Sequence, residues 1–225
     1  MKNKVINIVI ITLFLSSPLF AQGSESEWLI IPGVSVGKIS AKTSEAILIK
    51  LFGIRNVESA NIERGEGETT LGTILFPNDP EKKLEIIWEN PETKSKPLYV
   101  LIRGRHRTIW KTKNGISLGT SLKEIERING KPFTLAGFGW DGQGTIYDFN
   151  GGKLCAAGYC QEFDEHGNYK KKRIYIAVEA EVDFNDKGFI RLYHQVQGDR
   201  RFSSGHPAMQ QLNPTVTIMS ITMNE

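Results

Sequence analysis

The feature that most constrains this 225-residue chain is that it echoes itself. Gly33-Val34-Ser35-Val36-Gly37 returns 82 residues later as Gly115-Ile116-Ser117-Leu118-Gly119. A helix-like stretch follows each copy. Ser121 with Glu124 fits a capping box, Leu122, Ile125 and Ile128 recur at three-residue spacing, Gly130 closes the segment and Pro132 blocks re-entry. In the first copy Ser44 opens the segment, Ile47, Leu48, Leu51 and Phe52 fill it, and Gly53 closes it. Gly72-Thr73-Ile74 then matches Gly144-Thr145-Ile146, and Lys83-Leu84 matches Lys153-Leu154. A repeat of this length implies two similar units sharing one core.

Between these markers the periodicity is that of strands. Phe133, Leu135, a turn at Trp140-Asp141-Gly142 and the run Ile146 to Phe149 read as a hairpin, and Asn150-Gly151 turns the chain again. Leu84 to Trp88, Tyr99 to Trp110, Ile174 to Phe184, Phe189 to Val196 and Val216 to Ile221 are further strand candidates. Asp164 to Gly167 and Asn185 to Gly188 read as hairpin turns, and a short helix is expected from Pro207. The expected class is α+β, as two tandem units of short helix plus antiparallel sheet. An all-β sandwich is the alternative. The boundaries read 1–21, 22–105 and 106–225.

Gly119-Thr120-Ser121-Leu122-Lys123-Glu124-Ile125, closed by Gly130, resembles the G-x-T-x-x-x-V…G signature of the β-lactamase-inhibitor-protein-like superfamily. The first copy carries five more residues between its glycines. The chain as a whole also resembles uncharacterised secreted bacterial proteins carrying the run Asn129 to Asp141. The superfamily resemblance implies short helices on an antiparallel sheet, binding of another protein, and no chemistry. None of the inhibitor's partner-binding residues maps onto this chain.

The first 21 residues read as a signal peptide. Lys2 and Lys4 form a basic start, Val5 to Leu15 an apolar core, and Ser16 to Ala21 a small-residue approach to cleavage. The apolar run is short of the roughly 20 residues a membrane span needs. No Cys follows Ala21, so an exported, periplasmic or secreted protein without a lipid anchor is expected. Cleavage lowers the formal charge from +3 by the two lysines lost, which points to no nucleic-acid or membrane partner. Cys155 and Cys160, the only cysteines, would meet an oxidising compartment, and a disulfide across a hairpin is expected.

Motifs of catalysis and metal binding read as ordinary structure. Gly-x-Ser-x-Gly is the nucleophile elbow of α/β-hydrolases, yet Ser35 and Ser117 occupy the same place in a repeat, where a duplicated turn explains both. His106, His166, His194 and His206 lack metal-ligand spacing, and His194, alternating with Ile190, Leu192 and Val196, is expected to face the core. Asp183 to Gly188 resembles half a calcium loop, but Lys187 stands where an oxygen ligand is needed. No cofactor and no metal are expected.

The candidate binding residues come from an aromatic tip and two charge rows. Trp140-Asp141 sits in a glycine-crowded turn that can present an aromatic anchor and a carboxylate, or fold its ring back over the core. Arg103, Arg105 and Arg107 alternate, and aligning Tyr175 with Tyr99 puts Glu179, Glu181 and Asp183 opposite them. The rows would form either a salt-bridge ladder between neighbouring strands or a partner surface. The leading expectation is a non-catalytic extracytoplasmic module that binds or inhibits another envelope or secreted protein. The alternatives are a hydrolase of envelope polymers using those acids, and a structural envelope protein.

Overall fold

The computed structural model describes residues 25–162, 165–166, 173–181, 183 and 185–223. The expected signal peptide, together with Asp164, Gly167, Val182 and Phe184, lies outside them. Among the described residues, five α-helices and thirteen strands make an antiparallel-rich α+β fold. The strands are β1 Leu29–Ile31, β2 Ser35–Val36, β3 Ile39–Ser40, β4 Val57–Gly65, β5 Glu68–Leu75, β6 Leu84–Asn90, β7 Ser95–Arg103, β8 Lys111–Thr112, β9 Thr134–Ala136, β10 Ile146–Asp148, β11 Ile174–Glu179, β12 Arg201–Ser203 and β13 Thr215–Thr222. The helices are α1 Glu45–Phe52, α2 Leu122–Asn129, α3 Lys153–Ala156, α4 Lys187–Gln195 and α5 Pro207–Leu212. Among the described residues no helix is long and apolar enough to cross a membrane.

The main sheet has six antiparallel strands in the order β11-β13-β7-β6-β5-β4. Its inner face carries Ile86, Val100, Ile102, Ile174, Ile176, Met219 and Ile221, all buried. Alternation along each strand then sends Tyr99, Leu101, Arg103, Tyr175, Ile218 and Ser220 to the other face. Two small sheets, β3-β2-β1-β8 and β10-β9-β12, complete the fold. Buried residues from both halves of the chain form one cluster around Trp88, Trp110, Phe133, Phe138 and Phe149.

The echo survives in the helices. Ser44 and Ser121 cap α1 and α2, accepting from the amides of Ile47 at 3.4 Å and Glu124 at 3.2 Å. Gly53 and Gly130 end them at positive φ, with amides bonded to Ile49 O and Glu126 O. Glu124 departs from the capping box, since its carboxylate binds Arg127 at 2.6 and 2.8 Å. Each helix start docks on a central strand: Ser44 bridges Ser95 on β7, and Ser121 bridges Thr215 on β13. The five extra residues of the first copy go into β3 and the turn behind it.

Beyond the helices the copies diverge. Gly72-Thr73-Ile74 lies inside β5 of the main sheet, whereas Gly144-Thr145-Ile146 leads into β10 of a small one. Leu84 opens a strand and Leu154 sits in a helix. The strand facing β7 through the helix docking is β13, so the alignment of Tyr175 with Tyr99 does not mark equivalent strands.

Four local expectations are corrected. Residues 189–195 lie in α4, not in a strand, and Asp186 caps that helix by accepting from Gly188 and Phe189. His194 is consequently exposed. The strand expected to run to Trp110 stops at Arg103, because Gly104 turns at φ 141°. The strand expected to run to Phe184 stops at Glu179. The hairpin of β9 and β10, the Asn150-Gly151 turn and α5 stand where expected.

Candidate functional site

The outer face of the main sheet is folded over by its own edge. β5 pairs with β6 only from Gly72 to Leu75, so the outer half of the β4–β5 hairpin is released from the sheet. A Cβ at Gly72 would come within 2.5 Å of Ile86 O and 2.6 Å of Ile62 Cγ1, so only glycine allows this bend. Ile62 consequently lies over Gly72 and is 2 % exposed on a face that would otherwise meet solvent. The Arg103 Nη1 donates to Glu63 O at 3.2 Å. These residues are three strands apart, about 14 Å in a flat sheet, so the contact measures how far the hairpin has curled.

The curl makes a groove of about 760 Å³. Its floor is Tyr99, Leu101, Tyr175 and Ile218 from β7, β11 and β13. The hairpin tip, Glu63 to Gly65, forms one wall, and the loop Trp140 to Gln143 forms another. The Trp140 indole N–H donates to Gly137 O at 3.0 Å, which fixes the half-buried ring against its own loop while it lines the groove. Asp141 is exposed and its carboxylate has no hydrogen-bond or ion-pair partner among the described residues. A second cleft of about 340 Å³ adjoins the groove, with Gln143 and Glu179 lining both. There Phe138 and Tyr193 stack with centroids 5.7 Å apart. Burial, and after it the Glu179 carboxylate, push the Tyr193 phenol above its ordinary pKa.

The two charge rows do not face each other, because β13 runs between β7 and β11. Two of the three arginines find an acid: Arg103 pairs with Glu85 on the neighbouring β6, and Arg105, past the end of β7, reaches Glu179 of the acidic row. The Arg105 side chain is 57 % exposed, so its pair contributes at most about 1 kcal/mol. Of the eight candidate residues, Arg103, Trp140, Asp141 and Glu179 line the groove, while Arg105, Glu179 and Glu181 line the cleft. Arg107 and Asp183 line neither; Arg107 is exposed, and Asp183 accepts from the Asn185 amide at 2.8 Å. Sequence reasoning missed Arg64, Gln143 and Tyr193, and used Tyr99 and Tyr175 only as alignment marks.

The Ser117 hydroxyl donates to Trp110 O at 2.7 Å, and Ser35 lies in β2. His206 Nδ1 accepts from the Ala208 amide and caps α5. Cys155 and Cys160 are bonded to each other, with Cα atoms 4.6 Å apart. The bond closes the end of α3, not a hairpin. Asp148 lies beside the two sulfurs, but a disulfide sulfur is a poor metal ligand compared with the thiolate. No known protein family, curated protein or solved structure matches the chain.

Proposed function

We propose that the chain is a non-catalytic binding module that recognises another envelope or secreted protein through the groove on its main sheet. The carrying observation is convergence. A half-buried tryptophan, two tyrosines and unpaired charges from four separate stretches meet in one concavity. That combination of aromatic anchors and polar rim is what protein interfaces use. The superfamily resemblance points the same way, and the Cys155–Cys160 disulfide is compatible with an oxidising compartment. The hydrolase alternative asks Glu179 to act on a substrate, while its carboxylate is already engaged by Arg105.

A photo-reactive residue placed at Tyr99 or Trp140 in exporting cells should crosslink the same protein, and one at Lys50 should not. Trp140→Ala combined with Asp141→Asn should abolish the Tyr99 crosslink while thermal unfolding is unchanged. Equal crosslinking from Lys50, or none from the groove, would defeat the reading.

A further inference from the structure

We propose that the groove and its adjoining cleft receive a basic segment of the partner polypeptide, with an arginine or lysine seated beside Glu179, Glu181 and the Phe138–Tyr193 ring pair. This rests on the binding-module reading above and adds the chemistry of what is bound.

Arg103 is bonded to Glu85 and to Glu63 O, and Arg105 to Glu179. The side chains left without a hydrogen-bond or ion-pair partner among the described residues are Glu63, Asp141 and Glu181 on the acidic side and Arg64 on the basic side. The unpaired lining is therefore acidic, on a chain whose formal charge is not. A local acidic lining against a positive total selects and orients a cationic ligand.

The cleft supplies geometry as well as charge. Glu179 and Glu181 line it beside the partly exposed ring of Tyr193, which stacks on the buried Phe138. Carboxylates attract a guanidinium or ammonium, and an aromatic face adds a cation–π contribution to the same charge. The exposed Arg105 already occupies this kind of position on Glu179, which shows that the cleft accommodates a guanidinium. An incoming side chain has the unpaired Glu181 to bind and can share or displace Arg105. Gln143 and Glu179 line both groove and cleft, so the two adjoin. A segment lying over Tyr99, Tyr175 and Trp140 can thus place its basic residue in the cleft.

Titration of the whole mature chain with two synthetic peptides, followed by backbone amide shifts, tests the proposal. The probes are acetyl-Gly-Arg-Thr-Arg-Gly-amide and the same peptide with glutamates in place of arginines. The arginine peptide should shift Gln143, Tyr175 and Glu181 saturably, with a Kd of about 1 mM or tighter. The affinity should fall with added salt. Asp141→Asn with Glu181→Gln, checked for an unchanged spectrum elsewhere, should weaken it about tenfold. No saturable shift, equal shifts with the glutamate peptide, or full binding by the double variant would overturn the proposal. So would displacement of the arginine peptide from the groove by a neutral tetrasaccharide. A partner crosslinked from Tyr99 without any response to the arginine peptide would sink this inference and leave the binding-module reading standing.

Discussion

Aligned cap to cap, α1 and α2 use the same local chemistry and attach to the fold by different means. Both have a serine N-cap, eight helical residues and a closing glycine at positive φ. Both bury the fourth residue after the cap, Leu48 in α1 and Ile125 in α2. At the first residue after the cap they part. α2 has the buried Leu122, while α1 has Glu45, which accepts from Ser59 at 2.8 Å and Thr73 at 3.2 Å and pairs with Lys94 at 2.8 Å. Thr73 is in turn bonded by the buried Trp88 indole. α1 is thus pinned to the sheet by a polar network. Its Ile47 and Leu51 are left 41 % and 45 % exposed. The two helices share their length and their caps; packing decides which side chains hold each.

The largest test concerns what the helices share. Leu48→Ala and Ile125→Ala should each lower stability by about 3 kcal/mol, since both empty a fully enclosed site. Chemical denaturation measures this, and a several-fold smaller loss at Leu48 would show that α1 hangs on its polar network alone. Next comes a contact that only α2 possesses. Asn129 is buried, donating to Lys131 O and Phe149 O and accepting from the Leu154 amide. Its place in α1 is taken by Phe52. Asn129→Ala strands three backbone groups and should cost about 2 kcal/mol. A loss within error of zero would mean water replaces the amide.

Smaller still, and equal in both copies, should be the caps. Ser44→Ala and Ser121→Ala should each cost about 1 kcal/mol by denaturation. Unequal losses would break the claim that the two helices begin alike.

What the sequence disclosed follows the same division between local and distant causes. Caps, the β9–β10 hairpin and α5 are set by residues next to one another and were readable. α4 was misread because two periods coexist in it. Ile190, Leu192, His194 and Val196 alternate like a strand, yet Phe189, Leu192, Tyr193 and Val196 have helical spacing, and those four pack against the core. The Asp186 cap favours the second pattern. For the site, Trp140, Asp141 and the charge rows were visible as unusual residues. Their convergence was not, because it depends on β13 entering between β7 and β11 and on the hairpin bending at Gly72. Neither event leaves a signal near the residues it brings together. The Tyr175–Tyr99 match misled for the same reason: local similarity does not fix a strand's place in the sheet.

The smallest effect expected is the one specific to α1, and pH separates it from the rest. Burial raises the Glu45 pKa, but this is outweighed by the hydrogen bonds from Lys94 and Ser59, the Lys94 charge and the Thr73 hydroxyl, so the net shift is downward. A carboxyl depressed by folding stabilises the folded state while it is ionised. That contribution is fully present above the unfolded value of about 4.3. It is lost as pH falls below that value and through the lower folded value. Glu45→Gln should therefore cost no more than about 1 kcal/mol at neutral pH, because the pair with Lys94 keeps partial contact with solvent. The gap between variant and parent, followed by denaturation from pH 7 downward, should hold steady to about pH 5 and then close. Leu122→Ala, at the matching position of α2, should show a deficit that does not close over this range, since an apolar contact binds no proton. A Glu45→Gln deficit that persisted at low pH would mean that shape, not charge, holds α1 at this position, and the two helices would then be attached by the same means after all.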